Sequence, residues 1–151
     1  MEVQQFINNS IFIQATAQKV WSLLTSAEET KKYMYGCETV SDWKVGSSLD
    51  WQMMHDGNLI VVVTGQIKEI EENTLLVYTV FDPNSELEDI PENHLTVSYR
   101  LTSENGGTRL DVQQGDYTKV GEGEKRYKET YNDGQGWDPI LVQIKAIAEA
   151  S

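Results

Sequence analysis

The side chains of this chain best suited to proton transfer, nucleophilic attack or metal ligation are two histidines, one cysteine and seven tyrosines. His55 lies in the run Met54-His55-Asp56-Gly57, and His94 follows an acidic segment that holds two of the three prolines. Neither spacing matches a metal motif, and Cys37 with two separated histidines does not complete a structural zinc site. No metal and no cofactor are expected, and both histidines are read as exposed structural residues. A Gly-x-Ser-x-Gly elbow, a Walker loop and a Gly-x-Gly-x-x-Gly turn are all missing from the sequence. General acid or base work needs a carboxylate, histidine or tyrosine held in a cavity with a shifted pKa. Asp111 and Asp116 flank one alternating segment, and Asp133 and Asp138 flank Trp137. Asp111 alternates outward, however, and Asp138 is better used as a helix cap, so no coupled acid–base pair and no catalytic residue can be named.

The elements that must position these side chains follow from periodicity. Trp137, Ile140, Leu141, Ile144, Ile147 and Ala148 recur at three- and four-residue steps, which places them on one helical face. Gly134, Gly136 and Pro139 each disfavour a helix interior, so the long C-terminal helix is expected to be kinked or interrupted near Gln135. Asp138 as N-cap with Pro139 behind it would start the last piece. At the other end, a first strand is expected over Val3 to Gln14. Thr16 then caps a helix carrying Val20, Trp21, Leu23 and Leu24. Ser26, with Glu29 at the capping-box position, starts a second helix that runs to about Tyr35 and stops at Gly36.

Between these helical ends the chain alternates. Strands are expected at Thr39 to Trp43, Ser48 to Met54, Leu59 to Ile70, Thr74 to Phe81, His94 to Leu101 and Thr108 to Tyr117. Leu49, Trp51 and Met53 share one face of the second of these, and Val61, Val63, Gly65 and Ile67 one face of the third. Leu76, Tyr78 and Val80, then Leu95, Val97, Tyr99 and Leu101, then Leu110, Val112 and Gln114 continue the pattern. Asp56-Gly57 and Asn105-Gly106-Gly107 are hairpin turns. Gly65 in mid-strand points to a bend, a bulge or a close approach. The segment Asp82 to Asn93 reads as a long loop, either a cavity rim or an exposed insertion.

At 151 residues the chain fits a single domain, 1–151, large enough to bury a core. Its formal net charge of −12 repels phosphate backbones and anionic lipid, so nucleic acid is excluded as a partner. No apolar run is long enough to span a bilayer, and Met1 to Gln5 lacks the basic and apolar regions of a signal peptide. With a lone cysteine as well, the expected location is the cytoplasm and Cys37 is read as a structural thiol.

Strand, two helices, six strands and a long helix is the order of the helix-grip fold, and the sequence resembles the Bet v 1-like, START or SRPBCC superfamily. More narrowly it is similar to the bacterial family named for the C-terminal domain of the activator of heat-shock protein 90 ATPase. The residues carrying the resemblance are Ile13-Gln14-Ala15 running into Val20-Trp21-Ser22-Leu23-Leu24-Thr25, Val45-Gly46-Ser47 and Gly65-Gln66-Ile67-Lys68-Glu69-Ile70. Leu76-Val77-Tyr78-Thr79 and Gly136-Trp137 with Leu141 complete it. The implied fold is α+β, β-α-α-β6-α, a curved antiparallel sheet gripping a long C-terminal helix. Tyr33 and Val80 stand where many relatives carry tryptophan, and Pro139 is atypical, so no relative's ligand transfers.

In that fold, incomplete packing between sheet and helix implies a cavity open at one end. The inner-face aromatic and thioether residues would line it: Trp51, Met53, Tyr78, Tyr99 and Trp137, with Val63 and Leu141 beside them and Tyr33, Met34 and Tyr131 near the mouth. Apolar walls with sparse polar groups suit a small apolar or aromatic molecule, lipid- or polyketide-like. The alternatives are a cyclase or dehydratase, in which Tyr78, Tyr99 or His94 moves protons, and a chaperone-associated protein-interaction domain. A protein partner or weak homodimer is left open.

Overall fold

The computed structural model describes residues 6–34, 36–131 and 134–150. The expected strand start at Val3, the helix end at Tyr35 and the carboxylate of Asp133 lie outside them. In chain order the elements are β1 (Ile7–Ile13), α1 (Ala17–Thr25), α2 (Ala27–Tyr33), β2 (Glu38–Ser41), β3 (Ser48–His55), β4 (Asn58–Glu71), β5 (Leu75–Val80), β6 (Leu95–Glu104), β7 (Gly107–Gly115), α3 (Gly123–Tyr131) and α4 (Asp138–Glu149). Short 3-10 turns at Pro91–Asn93 and Tyr117–Lys119 interrupt the connections.

Thr16 caps α1 as its type predicts, its hydroxyl accepting from the Lys19 amide at 3.1 Å. Ser26 holds the N-cap position of α2 as expected but makes no side-chain cap bond, and its own amide closes α1 by donating to Ser22 O at 3.0 Å. Charge supports α2 instead, with Glu28 and Glu29 in its first turn and Lys31 and Lys32 in its last.

All seven strands form one antiparallel sheet in the order β1-β7-β6-β5-β4-β3-β2. Its two tightest hairpins turn on Asp56-Gly57 and Asn105-Gly106, where both central residues take positive φ and match the right-handed strand twist. The alternation expected along β4 holds only in part. Trp51 pairs with Val63 but Gln52 pairs with Val61, so Val62 is the extra residue of a bulge. The bulge turns Val61 to the face opposite Val63. Gly65 marks the close approach its position predicts: a Cβ there would overlap the Thr79 carbonyl, and Thr64 and Phe81 exchange backbone bonds of 2.8 Å beside it.

The C-terminal helix is interrupted, and the cap is not the one its sequence suggests. Asp138 is the first residue of α4, with Pro139 in the first turn, and Trp137 occupies the N-cap position without a side-chain cap bond. Asn9 of β1 does the capping from outside. Its Oδ1 accepts from the Trp137 amide at 2.9 Å, while its Nδ2 donates to Gln135 O at 3.2 Å and Asp138 Oδ1 at 3.0 Å. Gly136, at φ +52°, lets the turn reach this clamp, since a Cβ would lie 2.6 Å from Asn9 Oδ1 and 2.9 Å from Ile7 Cγ2. At the far end Lys145 Nζ donates to Phe12 O and Gln14 N to Glu149 Oε2, each at 2.8 Å. Fixed at both ends to β1, α4 buries Leu141, Ile144 and Ala148 in the core with Ile13, Val20, Leu24 and Leu110. Each fully buried Leu, Ile or Val contributes about 1.5–3 kcal/mol relative to exposure.

Candidate functional site

Where sheet and helices part, a cavity of about 370 Å³ remains. The sheet supplies Trp51, Val62, Val63, Tyr78, Val80, Val97 and Gln114; Met34 and Cys37 come from the end of α2 and the segment after it. Glu129 and Thr130 of α3, Gly136 and Trp137 of the turn, and Ile140 of α4 complete the lining. The strand register explains why these residues meet. Tyr78 faces Val97, and Val97 faces Gln114, so the three form one row across β5, β6 and β7. The bulge at Val62 puts two consecutive valines against the same space.

Of the residues expected from sequence, Met34, Trp51, Val63, Tyr78 and Trp137 line this cavity. Tyr33, Tyr99 and Leu141 are fully buried behind them, and Met53 is half-buried against the core. Tyr131 stands on α3, 46% exposed, in a separate surface depression with Tyr117 and Tyr127. Cys37, Val62, Glu129, Thr130 and Ile140 belong to the lining without having been singled out. Only Ile140 carried a sequence signal, its place on the apolar face of the last helix; the others reach the wall through a bulge, a helix end and a separate helix.

The aromatic side chains are interlocked. Trp51 packs against Tyr78 at 6.3 Å between centroids, Tyr78 meets Tyr99 edge-on at 5.5 Å, and Tyr99 meets Trp137 edge-on at 5.8 Å. The Tyr78 and Tyr99 hydroxyls share a buried hydrogen bond of 2.7 Å, and the Tyr33 hydroxyl donates to Leu23 O at 2.7 Å. The Trp137 indole N–H donates to Gln114 Oε1 at 2.9 Å. Burial pushes the phenols of Tyr33, Tyr78 and Tyr99 up, and their proximity to one another adds to the shift for Tyr33 and Tyr78. These hydroxyls stay protonated at neutral pH and act as hydrogen-bond donors and acceptors, not as bases. Burial likewise raises the Cys37 thiol, which disfavours the nucleophilic thiolate.

His94 lies away from the cavity. Its ring stacks on Phe81 at 5.0 Å, with Nε2 2.6 Å from Asp89 Oδ1 and Nδ1 3.2 Å from Thr79 Oγ1. Thr79 alternates with Tyr78, so this cluster occupies the opposite face of the sheet. His55 is exposed at the β3–β4 hairpin. Among the described residues no group of three His, Cys, Asp or Glu side chains is placed to hold a metal ion, and no helix is long and apolar enough to cross a membrane.

Residues 14–149 match the family described as Activator of Hsp90 ATPase homolog 1-like protein. The chain belongs to this family. Solved structures similar to this chain share its helix-grip architecture. ChR145 from Cytophaga hutchinsonii is 29% identical, with 99% of this chain and 97% of that one covered at a TM-score of 0.76. The Aha1 dimer from Colwellia psychrerythraea is 16% identical over 96% of each chain at 0.68. CalU16 from Micromonospora echinospora is 19% identical, with 96% of this chain and 76% of that one covered at 0.66. No curated protein matches the sequence.

Proposed function

We propose that this member of the family is a binding module for a small apolar or aromatic molecule, held between the sheet and the Trp137 turn. The observation that carries the reading is the cavity itself, about 370 Å³ and walled by Trp51, Tyr78, Trp137 and five aliphatic side chains, Val62, Val63, Val80, Val97 and Ile140. That size and a mainly apolar wall with few polar groups are the features of small-molecule sites, where burial supplies affinity and the polar groups set orientation. The raised tyrosine pKa values and the position of His94 on the outer face favour binding over proton transfer. Tyr33, Tyr99 and Leu141, buried behind the wall, contribute to this reading as its support, whereas Met53 packs against the core and Tyr131 stands outside the cavity. Cys37, buried and unpaired, suits a reducing cytoplasmic setting.

An amide-resolved NMR titration with a panel of fatty acids, flavonoids, steroids and aromatic acids tests the reading. Saturable shifts clustered on Trp51, Val63, Tyr78, Val97 and Trp137 are expected. A well-dispersed spectrum that no compound perturbs would remove it.

A second reading is favoured by one observation: Met54 and Leu59, paired across the β3–β4 hairpin, are each 62% exposed, with Ile60 beside them. A second copy of the chain docking there would cover this apolar tip, as a dimeric fold relative makes reasonable. Sedimentation across a concentration series checks it, and a monomer at every concentration would remove it.

A further inference from the structure

We propose that the cavity recognises an uncharged oxygen acceptor, a carbonyl carried on a flat apolar skeleton, and discriminates against the corresponding carboxylic acid. This rests on the ligand-binding reading above and names the class of molecule the same site takes.

The first observation is the orientation of Gln114. Its amide oxygen accepts the Trp137 indole hydrogen at 2.9 Å, and the reversed amide would set two donors against each other. The Gln114 amino group is therefore the polar face left over on a side chain that lines the cavity, and it has no protein acceptor among the described residues. Two strands away, across Val97, stands Tyr78. Its hydroxyl and that of Tyr99 hold two protons and share one hydrogen bond, so one proton of the pair remains, carried by Tyr78 when Tyr99 donates the shared bond. Burial keeps both phenols protonated, which preserves this donor across the physiological range. Two strand spacings separate Gln114 and Tyr78 by about 10 Å of backbone, within reach of both long side chains for one ring system lying over Val97.

The second observation is the charge around the site. Among the described residues no Lys, Arg or His lines the cavity, and the one acidic side chain in its lining is that of Glu129 on the exposed helix α3. Arg126, one turn earlier, donates to Asn93 O at 2.7 Å. A bound carboxylate would lose its hydration without a counter-ion and face Glu129 within a chain of net charge −12. A carbonyl oxygen suffers no such loss and accepts from the Gln114 amino group.

The test is a matched series on one skeleton, titrated by calorimetry at neutral pH: acetylnaphthalene, its ethyl isostere and naphthoate. Wild-type protein should bind the ketone about tenfold more tightly than the ethyl compound, the worth of one to two neutral hydrogen bonds. Naphthoate should bind more weakly than the ketone by at least the same factor. In Gln114→Leu the ketone preference should collapse toward unity while the ethyl compound still binds, and Tyr78→Phe should lose part of it. Because the wild-type comparison stands alone, a variant that fails to fold does not shelter the proposal. Equal affinities for ketone and ethyl compound, or naphthoate as the tightest of the three, would overturn it and leave the apolar binding site standing. Failure of all three to bind would overturn the binding reading and this inference together.

Discussion

Removing the Asn9 side chain should loosen the C-terminal turn more than any other surface-accessible polar truncation in β1. Asn9→Ala deletes the acceptor of the Trp137 amide and the donor to Gln135 O and Asp138 Oδ1, at 2.9, 3.2 and 3.0 Å. A neutral intramolecular hydrogen bond is worth about 1 kcal/mol net and one to a charged group somewhat more, so for a half-buried residue the total loss is about 2–3 kcal/mol. For a domain of this size that corresponds to a fall in Tm of about 5–10 °C. Asn8→Ala is the control, since its neighbouring exposed amide makes only a surface bond to Gln113 at 3.1 Å and should cost under about 0.5 kcal/mol. Urea unfolding gives the stability difference, and the Trp137 indole resonance reports whether the turn has moved. Asn9→Asp keeps the acceptor but sets a second carboxylate beside Asp138, so at neutral pH it should be at least as destabilised as the alanine variant. If Asn9→Ala unfolds within about 0.5 kcal/mol of wild type with the indole resonance unshifted, the claim that β1 caps α4 is wrong.

Gly65→Ala should be strongly destabilising, by more than about 2 kcal/mol, because its Cβ overlaps the Thr79 carbonyl and backbone must shift; a near-neutral urea midpoint would contradict this. On the acid side, the bidentate Arg109 hydrogen bonds hold Glu104 below its ordinary 4.5, and Lys145 and the Gln14 amide do the same for Glu149. The unfolded chain therefore takes up protons first. The contribution is complete above the unfolded value and is lost as pH falls through the lower folded ones, so Glu104→Gln with Glu149→Gln should flatten the acid side of a stability–pH profile. On the alkaline side the signs reverse: Tyr33, Tyr78 and Tyr99 are raised, and Tyr117 is pushed up to about 12, above the ordinary 10.0, chiefly by burial. Stability from these phenols is complete below the unfolded value and declines as pH rises beyond it. Near-ultraviolet phenolate absorbance should show Tyr33, Tyr78, Tyr99 and Tyr117 ionising only above the ordinary phenol value or on unfolding; their ionisation at the ordinary value in the folded protein would contradict the burial.

Local periodicity carries most of the architecture. The three- and four-residue steps through Leu141, Ile144 and Ala148 do mark the buried face of α4, and Asp-Gly and Asn-Gly do turn the hairpins. Period-two alternation also places Trp51 and Tyr78 on the inner face, where they line the cavity. What alternation cannot show is a change of register: the additional residue at Val62 arises from how β3 meets β4, and it sends Val61 to the other side. Nor does any local pattern link Asn9 to a turn more than 120 residues later, although that contact, and not the Asp138 side chain, begins α4. Gln114 is legible as an inward residue, but its amide acquires a direction only when Trp137 arrives from the far end of the chain. The same holds for Cys37 and Glu129, whose elements meet the cavity through tertiary packing alone.

The most direct measurement of the central claim is an isotope-filtered NOE spectrum of the protein saturated with a neutral aromatic ketone. Contacts from ligand protons to the methyl groups of Val62, Val63, Val97 and Ile140, together with the Trp137 indole, are predicted. Contacts confined to Met54, Leu59 and Ile60 at the hairpin tip, or no intermolecular contacts from a saturating ligand, would contradict it.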